Sequence, residues 1–382
     1  METPQPSLKR GRDHWDQAHM PGAEFQDRVK KIRQEMKKQQ VDVLLLYGRN
    51  TNEYANPCYV SNYITGTQRP AMVVLSPNDE IALIFDGFPR GVPTAKSRTW
   101  IENVIASSDI SKTCVEYLTG KNLMKSTIGF AGVERLMPRV QLKFLKESLA
   151  ATKVIDCDQM IAGMRLIKSA KEVDQIKRTA DLIKKAFKAA TEKSSGKLTE
   201  RLLVARLERI AYLEGAEDVR ILVGRPKNKD WSLRLPDESN VADGDTLILY
   251  MAVESERYWA EGARTFVGKG DTLTPAKVES VEKTYANIIS RVKSGNSVSQ
   301  FLKEMADELK KSGLELVPDY GFGQGVGLSL NEMPVVSTDN NSQFKDGMCL
   351  TLRVMVKDKS LATVMLGDTV SLSGGKVEIL TK

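Results

Sequence analysis

The sequence predicts an α/β domain over residues 23–160 followed by an α+β domain over 161–382, with a polar tail, 1–22, in front. Three observations predict it. The chain has 382 residues, more than one hydrophobic core usually holds. Short apolar runs alternate with helical stripes through the first part. In the second part, two helices followed by strands occur twice, which suggests an internal pseudo-twofold duplication resting on element order alone.

In chain order, Val29, Ile32 and Met36 fall at helical spacing within the charged segment from Asp27 to Gln39. Val41 to Tyr47 reads as a buried strand, and Ala71 to Leu75 and Ile81 to Phe85 as two more around the turn Ser76-Pro77-Asn78-Asp79. Thr127 to Ala131 and Lys153 to Cys157 are later strands, with a helix from Pro138 to Leu149 between them. The second part opens on Ser169 and Glu172, spaced as a capping box, and the stripe Ile176, Ala180, Ile183, Phe187 carries that helix to about Lys193. A second helix starts at Thr199 and stops at Gly215, and two more run from Pro275 to Lys293 and Val298 to Lys311. Thr246 to Val253, Tyr258 to Val267, Cys349 to Val356 and Thr363 to Leu372 are the strands.

Hydrophobic residues make up 41% and charged residues 27%, which excludes a disordered, collagen-like or disulfide-stapled chain. No run of about 18 uncharged apolar residues is present, so no membrane span is expected. The start, Met1 to Pro6, leads into charges rather than an apolar run, so a cytoplasmic setting is the expectation. Lys and Arg exceed Asp and Glu by 56 to 49, a net +7 that is modest for this length. The pairs Lys30-Lys31 and Lys37-Lys38 read as a solvated helix face, so nucleic acid is not an expected partner. Cys58, Cys114, Cys157 and Cys349 have no metal-like spacing and are expected to stay reduced. The only histidines are His14 and His19, in the tail. The body of the chain therefore has no His–metal site and no Ser–His or Cys–His pair, and its chemistry falls to carboxylates, Tyr, Lys, Arg and backbone groups.

Four segments carry a family resemblance. They are Gly244-Asp245-Thr246-Leu247-Ile248-Leu249; Tyr258-Trp259-Ala260-Glu261-Gly262-Ala263-Arg264-Thr265-Phe266; Gly323-Gln324-Gly325-Val326-Gly327-Leu328-Ser329-Leu330-Asn331-Glu332-Met333-Pro334; and Asp346-Gly347-Met348. In their order and spacing they resemble the creatinase/aminopeptidase P family, whose second domain is the pita-bread fold. Phe25, Arg28, Ile32, Arg33, Met36, Asp42 and Leu44 resemble the opening of the creatinase-type N-terminal domain. The peptidases of that family bind two divalent metals through two Asp, one His and two Glu. Carried over residue by residue, those positions hold Tyr250, Glu261, Gln324, Arg353 and Gly367 here, and a further family His falls at Asn331. One carboxylate among five cannot offset two divalent charges, and Arg353 puts a permanent cation where an ion would sit. The expectation is a site with no metal and no cofactor.

The resemblance then implies a metal-independent, creatinase-like hydrolase cutting an amide- or amidine-type C–N bond in a small, polar, carboxylate-bearing substrate. Glu261, Arg353 and Tyr250 are the candidate catalytic residues: a proton-handling or cation-binding carboxylate, an anion-binding guanidinium and a phenol. Gln324, Asn331, Glu332, Trp231, Arg234, Arg264 and Tyr258 are the candidate substrate contacts, although Arg264 reads more readily as structural. Creatinase carries a proton-shuttle His in the loop that here contains Asp230, Trp231, Ser232 and Arg234, and this loop has none. Two other readings stay open: a non-catalytic pseudopeptidase that binds a ligand or protein partner, and a lyase or C–C hydrolase using the same groups. Glu261 and Arg353 pairing with each other is compatible with each of these. Glu261→Gln and Arg353→Met are expected to abolish turnover while leaving the thermal midpoint nearly intact. The family also implies a homodimer in which Tyr54, Asn56, Tyr59 and Arg69, or the tail's His14 and His19, cap the partner's pocket. Gly321 to Gly327 is glycine-rich but opens no capped helix, so it is not read as a phosphate loop.

Overall fold

The structure is a computed structural model and describes residues 15–49, 53–64, 69–76, 80–191, 198–227, 231–269, 273–357 and 363–382. The turn at 77–79, Asp230 and His14 lie outside the described residues. The chain divides into two compact units at Arg165/Leu166 rather than at 160. The helix Asp158–Leu166 explains the difference. It runs through position 160, buries Met160 and Ile161, and ties back to its own unit through the Arg165 Nη1 bond to Asn56 Oδ1, 2.9 Å. Among the described residues no helix is long and apolar enough to cross a membrane.

In the first unit the central strand Val43–Gly48 is buried on both faces, as its uninterrupted apolar run requires. It pairs antiparallel with Ala71–Leu75 and parallel with Ile128–Ala131. Ile81–Asp86, Asn103–Ser107 and Val154–Asp156 extend these to a six-stranded sheet. One face packs on the helices Ile110–Gly120 and Arg139–Ser148 through Val43, Leu45, Tyr47, Cys114, Leu118 and Leu145. The helix Gly22–Lys38 buries Val29, Ile32 and Met36, the stripe its spacing predicts, together with Phe25 and Arg28.

The second unit is a nine-stranded sheet. Its helix Ala170–Ala190 begins with the expected capping box, Ser169 and Glu172 each bonding the other's backbone. The hairpin of Leu247–Ser255 and Tyr258–Phe266 and the hairpin of Cys349–Lys357 and Thr363–Ser373 meet at the centre, where Gly367 pairs with Ala263. Helices Pro275–Ile289 and Val298–Lys311 share one apolar cluster with Leu350, Leu352, Val354, Val356, Val364, Leu366, Val370 and Leu372. Because side chains alternate along a strand, covering the even positions turns 351 and 353, 367 and 369 to the opposite face. The helix-side packing of Gly262 against Ile183 and Phe187 does the same for Glu261 and Ala263.

Candidate functional site

Register brings the site together. Ala252 pairs with Glu261, Tyr250 and Gly367 each pair with Ala263, Arg353 pairs with Gly367, and Gln324 with Thr351. Tyr250, Glu261, Gln324 and Arg353 therefore share one face of the sheet although they are spread over more than a hundred residues of sequence. All four are buried, from 1% exposed for Glu261 and Tyr250 to 6% for Gln324.

They form one hydrogen-bonded network around the Glu261 carboxylate. Arg353 Nη1 donates to Oε1, the Tyr250 hydroxyl donates to Oε2 at 2.5 Å, and Gln324 Nε2 donates to Oε1 at 3.3 Å. Arg353 Nη2 donates to Gln324 Oε1 at 2.7 Å, which fixes the amide's orientation. The Glu261 backbone is anchored by Thr369, whose Oγ1 accepts from Glu261 N and donates to Glu261 O, both 2.9 Å. Burial holds the Tyr250 phenol well above its usual pKa; the neighbouring Glu261 charge adds to that and Arg353 opposes it. Beside the network, Arg220 lies 4.5 Å from the centre of the Trp259 ring and pairs with Asp218 at 2.9 Å.

Gly367 explains how Arg353 fits. A Cβ built at 367 would stand 3.0 Å from Arg353 Cγ and 3.2 Å from Ala263 Cβ. The bare backbone at 367 leaves room for the arginine stem on the paired strand, so these two positions are matched to each other.

Several expected site residues go elsewhere. Tyr258 points to the helix side, its hydroxyl 3.1 Å from Glu172 Oε1, because it is one residue out of phase with Glu261. Arg264 is on that side too, clamping Gly367 O at 2.7 Å, Asp368 Oδ1 at 2.6 Å and Thr381 O at 3.1 Å. Arg234 is bound by Glu200 at 2.7 and 3.1 Å, and Trp231 stacks on Tyr320 with ring centres 6.1 Å apart. Glu332 is taken by Lys168 in a buried pair, 2.9 Å, while Asn331 is exposed. In the first unit Tyr54 and Tyr59 are buried, Tyr59 beneath Arg28 at 4.7 Å, and Asn56 is bonded to Arg165. His19 is bonded to Asp16 at 2.5 Å. Sequence reasoning missed Thr369, Thr351 and Trp259; strand alternation from Gly367, Arg353 and Glu261 would have put each on the same sheet face as the network.

Residues 174–373 match the metallopeptidase family M24, and residues 28–167 match the creatinase/prolidase N-terminal domain. This chain belongs to family M24. It is a creatinase/aminopeptidase P type member with a pita-bread second domain, and the family's enzymes hydrolyse C–N bonds. The Xaa-Pro dipeptidase of Pyrococcus horikoshii is 23% identical over 367 residues, covering 93% of this chain and 97% of its own. Among solved structures, the X-Pro aminopeptidase of Thermotoga maritima superposes with a TM-score of 0.77 at 20% identity, covering 93% of this chain and 97% of its own. The N-terminal domain of FACT complex subunit SPT16 from chickpea reaches 0.67 at 16% identity, covering 94% and 96%. At these identities the structural likenesses establish the fold.

The donor set at the five positions that the resemblance picks out does not fit a pair of divalent metals. It consists of a phenol, one carboxylate, an amide, a guanidinium and a glycine, and the carboxylate is already bonded to the guanidinium. Two hard divalent ions need several anionic oxygens, and a fixed cation among the ligands repels them.

Proposed function

We propose that this chain has replaced the metal chemistry of its family with an internal ion network and works as a pseudopeptidase that binds a small polar ligand or a protein partner. One observation carries the reading: the Glu261 carboxylate is spent on Arg353, Tyr250 and Gln324 in a buried setting. Three donors take three of the four lone-pair sites of that buried carboxylate, which leaves it poorly placed to take a proton from water, and Arg353 supplies the positive charge that the family draws from metal. The swap at 353 and the vacancy at 367 complement each other, which favours a rebuilt site over a decayed one. The proposal keeps the homodimer and the cytoplasmic setting expected from sequence.

The test is hydrolysis of Xaa-Pro dipeptides with added Mn²⁺ or Co²⁺, run beside Glu261→Gln. Equal background in both proteins is the expected result; turnover that the substitution abolishes overturns the reading.

A second reading is favoured by two further facts. Arg353 Nε is buried with no hydrogen-bond partner among the described residues, and Tyr250 stays protonated on Glu261. A donor left over beside a neutral acid suits an anionic substrate, so metal-independent hydrolysis of a C–N bond in a carboxylate-bearing compound is the runner-up. Chelator-insensitive turnover of N-acyl amino acids or amidino acids, lost in Arg353→Met, would establish it; no turnover in either protein would dismiss it.

A further inference from the structure

Gly367 pairs with Ala263 where the strands Tyr258–Phe266 and Thr363–Ser373 meet, and a threonine follows each of the two by two residues. Thr369 Oγ1 accepts from Glu261 N and donates to Glu261 O, both at 2.9 Å. Thr265 Oγ1 accepts from Met365 N at 2.9 Å and donates to Met365 O at 3.0 Å. Each hydroxyl stands in for a ladder partner, satisfying one donor and one acceptor of the facing backbone. The two bridges are equivalent under a pseudo-twofold relation about the central pair, since each threonine holds the residue that precedes that pair by two on the other strand. Tyr250 and Arg353, which pair with Ala263 and Gly367, are equivalent in the same way. The symmetry breaks at the residue held. Glu261 carries the carboxylate at the centre of the network, whereas Met365 carries a buried thioether.

We propose that Thr369 is a positioning residue for the Glu261 network, and that Thr265 makes the same bonds for a structural purpose only. Fixing both backbone groups of residue 261 fixes where its side chain starts. From there one carboxylate must meet Arg353 Nη1, the Tyr250 hydroxyl and Gln324 Nε2 together. Hydrogen bonds weaken steeply away from their preferred distance and angle, so a small shift of the strand at 261 acts on three bonds at once. Thr369 is itself held from behind: its N–H donates to Thr381 Oγ1 at 3.2 Å, and its carbonyl accepts from Leu380 N at 2.8 Å. Thr381 Oγ1 in turn donates to Asp368 Oδ1 at 2.5 Å. The hydroxyl that anchors Glu261 therefore sits on a braced strand. A thioether is at best a weak acceptor, so a shift at Met365 disturbs packing and no ion pair. This role belongs to the network itself and holds whether the site binds a ligand or turns one over.

Valine keeps the shape of threonine without its hydroxyl, so Thr369→Val and Thr265→Val each lose the same two bonds, and each is expected to lower the thermal midpoint of the full-length chain. The discriminating measurement is how far each variant changes the effect of Arg353→Met in thermal and urea unfolding. In Thr369→Val the midpoint drop caused by Arg353→Met is expected to shrink by about half or more; in Thr265→Val it is expected to keep its wild-type size. Thr369→Ser, which retains the hydroxyl, is expected to restore the full drop. If Thr369→Val does not fold, Thr381→Val takes its place: it removes the bond to Thr369 N and spares the hydroxyl on Glu261, so a smaller reduction in the same direction is expected. A full Arg353→Met drop in the Thr369→Val protein, or in Thr381→Val where that replaces it, would overturn the proposal. So would an equal reduction in both threonine variants, or the absence of any drop in the wild-type background.

Discussion

Removing the guanidinium at 353 strips the Glu261 carboxylate of its one cation. In Arg353→Met the carboxylate keeps only the Tyr250 hydroxyl at 2.5 Å and the Gln324 amide at 3.3 Å, at 1% exposure. Breaking one side of a buried ion pair costs about 3–5 kcal/mol, since the remaining charge is neither solvated nor paired. For a unit of this size that is a fall on the order of 10 °C in thermal midpoint. The sequence alone suggested a nearly unchanged midpoint; burial of the pair reverses that expectation. Adding Glu261→Leu removes the stranded charge, so the double variant is expected to be more stable than Arg353→Met alone. Thermal and urea unfolding of the four proteins in the cycle measure this. An Arg353→Met midpoint within experimental error of wild type, or strictly additive effects, would refute the network.

Three further outcomes are expected. Burial lifts Tyr47 to about 12 and holds Tyr250 and Tyr285 well above the ordinary phenol range. Their contribution to stability is present below about pH 10 and lost as pH rises above it. Absorbance at alkaline pH should thus show tyrosines that ionise only on unfolding, with one fewer in Tyr250→Phe; full ionisation of the folded protein at pH 10–11 would contradict this. Burial raises the thiols of Cys114 and Cys349 to about 12 and Cys157 to about 11, so a thiol reagent should label the native chain slowly and all four cysteines in denaturant. Light scattering is expected to give twice the 42.5 kDa chain mass; a monomer at micromolar concentration would remove the homodimer from the proposal.

Regular elements with strong local signals were legible in the sequence. Val298–Lys311 begins and ends where its pattern places it, and Ser169 caps its helix as the spacing of Glu172 demands. Less of the first unit could be read. The helix Ala55–Ser61 is one of its unread elements: short, with Pro57 inside it and no side-chain cap. The strand Asn103–Ser107 is short and half-buried, so its pattern does not alternate cleanly. The helix Ile110–Gly120 did carry a signal, the Asp109 cap, that was not used. At the site, family spacing located Tyr250, Glu261, Gln324 and Arg353, and strand register confirms that they converge. Tyr258 faces away from Glu261, since proximity in sequence says nothing of which sheet face a side chain takes, and Arg264 sits in the structural clamp that was its readier reading. Glu332 and Arg234 were lost to Lys168 and Glu200, partners far away in the chain that no local pattern announces.

The most direct test of the central claim is metal uptake: equilibrium dialysis against Mn²⁺, Co²⁺ or Zn²⁺ followed by elemental analysis of wild type and Glu261→Gln. With the Arg353 guanidinium bonded to the one carboxylate at the five positions the resemblance picks out, both proteins should retain the same trace amount, and the unfolding temperature of each should be unmoved by chelator. A stoichiometric ion in the wild type that Glu261→Gln releases would contradict the account.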